Sequence, residues 1–323
     1  GLMDGAGVDR NPAELETHVE RFDRTRVLDA LRPLYRLSDA RATFALVWCW
    51  FWMGLAIAAA VRFDHWLAYA LAFIVIAGRQ VALLFLVHEA AHHRMFKQRV
   101  WSDRIVNVCA GFTLGMHVDS YRRHHLQHHR HLNTASDPDW QLHQNEFWRW
   151  PRDTRSAFVA FAKSVLGLHA RKWLGVLALS PWARFASMTR FERIAFVSLC
   201  SALALLLAVT QSCWVFLGLW ILPMFTLTFA LHHLRTIAEH IAVAGTHELN
   251  ESRTVVSSPF ERFFVAPMGV NFHLEHHLFP GIPAYHLEAA HALLMQDAVF
   301  RAQAHLTRSY LGVRDSLLQE ITR

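Results

Sequence analysis

Four long apolar runs decide what this 323-residue chain can fold into. Residues 42–61 and 66–87 are each about 20 residues long, enough at about 1.5 Å per helical residue to cross the roughly 30 Å hydrocarbon layer of a bilayer. Only Arg62, Phe63, Asp64 and His65 separate them, so the spacing predicts a tight helical hairpin. Residues 194–210 and 213–234 predict a second hairpin around Gln211 and Ser212. Hydrophobic residues make up 53% of the chain and charged residues 18%, which excludes a disordered protein and disfavours an ordinary soluble enzyme. The segment 1–41 is polar and arginine-rich, without the charged n-region and apolar stretch of a cleavable signal. It is expected to be a cytosolic N-terminal segment, disordered over residues 1–7. The rest, 42–323, is expected to form a single membrane domain. The apolar stretch 105–116 is too short to span and is read as interfacial or re-entrant.

Two hairpins place both termini and the long segment 88–193 on one side. Of the 32 Lys and Arg, 7 lie in 1–41, 16 in 88–193 and 7 after residue 234, leaving only Arg62 and Arg79 elsewhere. Positive charge marks the cytoplasmic face, so the active side and both termini are expected to be cytoplasmic, as in a bacterial inner-membrane protein. The net charge of +6 then needs no nucleic acid. It describes a basic face beside anionic lipid and a dock for an acidic protein partner.

The chain carries 23 histidines, and imidazole is the commonest metal-binding side chain. His88-Glu89-Ala90-Ala91-His92-His93 stands at the end of the second apolar run, where His88 and His92 are i and i+4 and share a helix face. Tyr121 to His129 contains His125, His128 and His129, with His124 about 100° away around a helix. His273, His276 and His277 repeat the H-x-x-H-H spacing, and His240 follows Glu239 beyond the fourth run. Nine imidazoles on one side of a membrane exceed one tetrahedral ion and suggest two metals, and imidazole suits iron, zinc or copper. Four scattered cysteines spell neither a disulfide framework nor a thiolate site.

These motifs resemble the integral-membrane fatty acid desaturase and hydroxylase superfamily. The resemblance rests on HEAAHH at 88–93, YRRHHLQHHRHLNTASDPD at 121–139, LRTIAEH at 234–240 and NFHLEHHLFPGIP at 271–283. It implies an all-α membrane protein in which four transmembrane helices, arranged as two hairpins, stand under a cytosolic helical cap holding a histidine-rich dimetal site. It further implies a non-haem di-iron centre bound by His88, His92, His125, His128, His129, His240, His273, His276 and His277, with O2 as co-substrate. His93 and His124 lie off the shared faces and are left out. Glu89, Asp137, Asp139, Glu239 and Glu275 are expected to accept from the outer ring nitrogens of those histidines. Asn133 is expected to cap the helix after the second box or to bond at the site. His233 either lines the approach to the metals or is a plain interfacial histidine, and Arg79 is expected to serve helix packing or to snorkel.

The implied activity is O2-dependent desaturation of a fatty-acyl chain, with electrons from an external carrier such as ferredoxin or a cytochrome b5-like protein. Hydroxylases, ketolases and desaturases of small amino-acid-derived products such as dihydrorhizobitoxine share the boxes. His88 to His92 also satisfies H-E-x-x-H, the zinc-protease pattern. A protease, or a zinc-holding receptor, leaves the other boxes and His240 unexplained.

Overall fold

A computed structural model describes residues 21–172, 181–312 and 314–322. The expected disordered start at residues 1–7 lies outside the described residues. The described chain is mostly helical. Four of its helices are long and apolar enough to cross a membrane: α1 (Asp39–Phe63), α2 (Trp66–Ala91), Arg190–Thr210 and Cys213–His240. α1 and α2 pack along each other and join through Asp64 and His65. Asp64 adopts the left-handed conformation (φ 43°), which a short polar side chain tolerates, and its N–H closes α1 on the Ala60 carbonyl at 3.0 Å. The His65 ring accepts from the Leu67 N–H at 3.2 Å and so opens α2.

α2 is the axis of the molecule. Every residue from Ile76 to Ala91 is buried, as expected for a helix apolar on all sides. Packed around it are α1, the histidine-bearing α3 (Val118–His131), the later part of Cys213–His240 and a short helix further along the chain, Pro259–Phe264. The third long helix, α4 (Arg190–Thr210), is the opposite case. Its one buried residue is Glu192, and Ile194, Val197, Leu205 and Val209 face outward, as lipid contact requires.

The fourth long helix is broken where the sequence predicts an unbroken run. Pro223 has no N–H for the carbonyl one turn earlier, the backbone widens into a π-turn over Leu217–Ile221, and Thr226 leaves helical geometry (φ −123°, ψ −95°). Beyond Thr226 the chain resumes as α5 (Leu227–His240). A broken helix at membrane depth needs its polar backbone satisfied by neighbours. Gln80 of α2 does this: its Nε2 donates to Trp220 O at 2.9 Å, and its Oε1 accepts from Thr228 Oγ1 at 2.6 Å. Arg79 serves a second break. In α6 (Pro259–Phe264) the Phe263 carbonyl would bond the amide of residue 267, which is a proline. The Arg79 guanidinium donates to that carbonyl instead and lies 4.0 Å from the Phe263 ring centroid. Arg79 therefore packs and does not snorkel.

The apolar stretch 105–116 begins in the last turn of a short helix (Arg99–Val106), widens into a π-turn over Asn107–Gly111 and tightens again over Phe112–Leu114. Tryptophans of the long helices bond its carbonyls: Trp50 Nε1 donates to Cys109 O (2.8 Å) and Trp220 Nε1 to Thr113 O (3.2 Å). The described part of the N-terminal segment is docked, with Arg24 donating to Leu278 O at 3.0 Å. The all-α expectation needs one small amendment, a two-residue parallel ladder pairing Thr254 with Leu306 and Val255 with Thr307.

Gly78 shows how closely α2 is packed. A Cβ there would stand 3.2 Å from the Phe264 backbone, whereas one on Gly54 of α1 would meet nothing within 4 Å. Gly78→Leu should therefore destabilise the protein by about 1–3 kcal/mol, the usual cost of overpacking, and Gly54→Leu should leave it nearly unchanged. Thermal unfolding of both variants in detergent measures the contrast.

Candidate metal centre

Four segments bring the histidines to one place, and each does so by its local structure. His88 lies in the last turn of α2 and His92 caps it. Here the chain forms a left-handed helix stop: His93 takes φ 57°, its N–H bonds Ala90 O (3.0 Å), and the Arg94 N–H bonds Glu89 O (2.8 Å). That stop turns His93 away from the shared face. α3 carries His125, His128 and His129, α5 ends on His240, and α7 (His273–Leu278) carries His273, His276 and His277.

The nine rings form two groups. His88, His92, His125, His129 and His276 bring one nitrogen each within 4.8 Å of one another, and His128, His240 and His277 do the same. His273 joins the second group, its Nε2 lying 2.8 Å from that of His240 and 3.1 Å from that of His277. The groups adjoin, with His129 and His277 stacked at 4.1 Å between centroids. Helix geometry explains the division. Residues i and i+4 sit about 40° apart, while i+3 lies on the other side of i, about 100° from i+4. In α3 the i,i+4 pair His125 and His129 enters the first group and His128 the second. In α7 the pair His273 and His277 enters the second group and His276 the first. The H-x-x-H-H spacing, which the sequence presents as one face, thus feeds two clusters.

The donor chemistry fits metal ions. Both Asp137 oxygens lie 3.0 Å from His128 Nδ1, which fixes that nitrogen as the N–H and turns the Nε2 lone pair inward. Only 3.2 Å away is Nε2 of His240, whose Nδ1 faces Glu251 O at 3.4 Å. Two lone pairs at that distance repel unless a cation lies between them. His88 is buried, and neither of its ring nitrogens has a hydrogen-bond partner, a costly position for an imidazole without a metal. Burial and the neighbouring imidazoles hold His125, His273, His276 and His277 well below the ordinary histidine range. Burial, with Arg94 nearby, holds His92 at about 3, and burial with His92 and His128 holds His129 at about 2. All of these are neutral at pH 7, the form that ligates metal.

The acidic residues divide less evenly than expected. Asp137 orients His128 and also accepts from the Asn133 and Asp139 amides. Asp139 accepts from His124 at 2.6 Å and stands 3.6 Å from His128 Nδ1. Glu89 Oε1 is 3.4 Å from His88 Nδ1 without hydrogen-bond geometry, and its other oxygen accepts from the Ala284 amide at 2.8 Å. Glu239 pairs with Arg235 and lies 3.7 Å from His273 Nδ1. Glu275 turns away from the boxes to His291 Nδ1 (2.6 Å) and Thr254 Oγ1. Asn133 both ends α3 at φ 56° and donates to Glu251 O at 3.0 Å, the carbonyl beside His240. His233 is stacked on Phe147 at 4.3 Å with Nδ1 3.3 Å from Ser164 Oγ, outside both groups.

Sequence reading passes over Arg122. Arg122 Nε donates to Ala91 O (3.0 Å) and its Nη2 to Ala90 O (2.8 Å), while Asp103 holds the guanidinium through two bonds of 2.6 and 2.9 Å. It completes the end of α2. The only sequence signal is an arginine one turn before a box histidine.

A family model described as "Fatty acid desaturase" matches residues 64–309. The dihydrorhizobitoxine desaturase of Bradyrhizobium elkanii is 26% identical over 72% of this chain and 69% of its own. The sn-1 oleoyl-lipid 12-desaturase of Anabaena variabilis is 24% identical over 72% and 70%, and that of Picosynechococcus is 25% identical over 87% and 85%.

Asp137→Asn should weaken metal binding about 10- to 100-fold, as loss of a carboxylate behind a ligand histidine does. His124→Ala, which removes a ring bonded outward to Asp139, should keep full metal content. Metal titration of the two purified variants tests the difference.

Proposed function

The chain belongs to the fatty acid desaturase family, and on that premise we propose that it is a membrane di-iron desaturase of a fatty-acyl chain. Two hairpins would stand in the bilayer and carry the histidine clusters on the cytoplasmic side, an orientation supported by the lysine and arginine distribution. The nine histidines would hold two irons, the clusters taking five and four imidazoles. Bound there, the iron pair supplies O2 activation and oxidising power sufficient for an unactivated C–H bond. The balanced change converts CH2–CH2, O2, two electrons and two protons into CH=CH and two waters.

The protein's own part is placement and exclusion of water. Phe85, one turn before His88, is buried and stacks on its ring at 4.8 Å between centroids. It makes the membrane side of the first cluster apolar, which suits a methylene chain. Asp137 keeps His128 in the tautomer whose lone pair points inward, and the Glu251 carbonyl does the same for His240. A bound chain must present its reacting carbons within about 3–3.5 Å of the oxidising group, so the helices lining its path fix the bond position. Electrons would come from a separate acidic carrier, ferredoxin or a cytochrome b5-like protein, docking on the basic face.

The observation that carries this reading is the division of nine imidazoles, most of them buried, into two adjoining clusters. The match to the dihydrorhizobitoxine desaturase favours a second reading, desaturation of a small amino-acid-derived molecule at the same centre.

Protein purified after iron-replete expression should contain about two irons per chain, and the expressing cells should gain an unsaturated acyl chain. His128→Ala and His276→Ala should insert in the membrane, lose iron and make no product. One zinc, no iron and no activity after iron reconstitution would sink the di-iron reading. Two irons with an unchanged acyl profile would favour the small-molecule reading.

A further inference from the structure

At the end of α5, which presents His240, the chain passes through a left-handed residue at Ala242 (φ 56°), as α2 does at His93, but without the pair of backbone bonds that finishes α2. Only Ile241 N–H bonds back in helical fashion, to Ile237 O at 3.1 Å. The carbonyls of Ala238, Glu239, Ile241 and Ala242 meet one residue, Arg253. Its backbone N–H bonds Glu239 O (3.1 Å). Its Nη1 donates to Ala238 O (2.8 Å) and, at 3.3 Å, to Ile237 O and Ile241 O, and its Nη2 donates to Ala242 O (2.9 Å). Arg253 is 1% exposed. A buried cation on helix C-terminal carbonyls is favourable both as hydrogen bonding and against the helix dipole.

The guanidinium is held in turn from outside. Arg253 Nε donates to Glu320 Oε2 at 3.0 Å, and Nη2 lies 2.9 Å from the same oxygen. Glu320 belongs to α8 (Leu317–Ile321), and it also accepts from Thr307 Oγ1 (2.5 Å) and faces His305 Nε2 (3.0 Å). The loop that carries Arg253 supplies the Glu251 carbonyl behind His240. One residue therefore fixes both the end of the helix bearing His240 and the loop that sets the tautomer of His240.

We infer that Arg253, clamped by Glu320, is a positioning residue for the His128, His240, His273 and His277 cluster and not for the other. The inference rests on the reading of the histidines as two metal-holding clusters. α5 contributes His240 to the second group alone, while the first group takes its ligands from α2, α3 and α7. Arg122 finishes α2 independently, and the Arg253 loop stays tied to α7 through Val255 N–H on Asn271 O (2.9 Å) and Thr254 Oγ1 on Glu275, so the first cluster keeps its geometry when the Arg253 cap is lost. Lysine cannot replace the fork, because a point charge does not reach carbonyls spread over six residues while also meeting Glu320.

The test uses the full chain in detergent, stripped of metal and titrated with Co(II), whose visible bands report the ligand geometry. Wild-type protein should take up two equivalents. Arg253→Gln and Arg253→Lys should bind the first as wild type does and the second about 10- to 100-fold more weakly, the range seen when support behind a ligand histidine is removed. The spectrum after one equivalent should match that of His240→Ala. Glu320→Gln, which leaves every capping donor in place, should weaken the same equivalent several-fold and decides the matter alone if the Arg253 variants do not fold. Wild-type titration by Glu320→Gln, or equal weakening of both equivalents in any folded variant, overturns the inference. Failure of the wild type to bind a second equivalent overturns the two-cluster reading itself, and this inference with it.

Discussion

Nine imidazoles pointed at one another are the constraint on which the structure turns. Adjacent Nε2 atoms stand 2.8–3.2 Å apart across the two clusters, and the rings are mostly buried. For His128 and His240, whose outer nitrogens face Asp137 and the Glu251 carbonyl, the approach is repulsive without metal, so the rings do not supply the stability of the arrangement. The surrounding scaffold must hold the helix ends in place before any ion arrives. That accounts for α2 being the most buried of the four long helices, since it reaches the clusters directly and ends on two of their histidines. It accounts equally for the care taken over helix termini. Free carbonyls at the ends of α2 and α5 would lie beside the imidazole clusters, and each end is closed by a guanidinium tied to a carboxylate.

The parts of this design that depend on short-range periodicity are legible in the sequence. The lengths of the apolar runs give four helices able to span a bilayer, and Asp64-His65 gives the tight joint between the first two. The i,i+4 pairing of His88 with His92 is local geometry and needs no tertiary knowledge. Long-range pairing is where the reading stops. Nothing near Gln80 signals that Thr226 breaks the fourth helix, or that Gln80 and Thr228 repair the break across 148 residues of chain. Arg253 has no motif around it, because the carbonyls it serves are defined by where α5 ends. Glu275 shows the converse error. Its position inside the third box suggests support for a neighbouring histidine, yet in α7 it faces the opposite side and meets His291 and Thr254.

The H-x-x-H-H repeat ties the two clusters together mechanically. α3 and α7 each place an i,i+4 pair in one cluster and the i+3 residue in the other, and they do so in opposite senses. Any movement of α3 or α7 must therefore alter both clusters together. α2 and α5, by contrast, each feed one cluster only. The long helices set the two groups individually, and the shorter histidine helices set the relation between them. If the clusters act on one bond of a flexible chain, as proposed above, that relation must be held constant. Placing it in α3, packed along α2, and in α7, packed on the Thr254–Val255 strand, keeps it apart from bending in the other long helices.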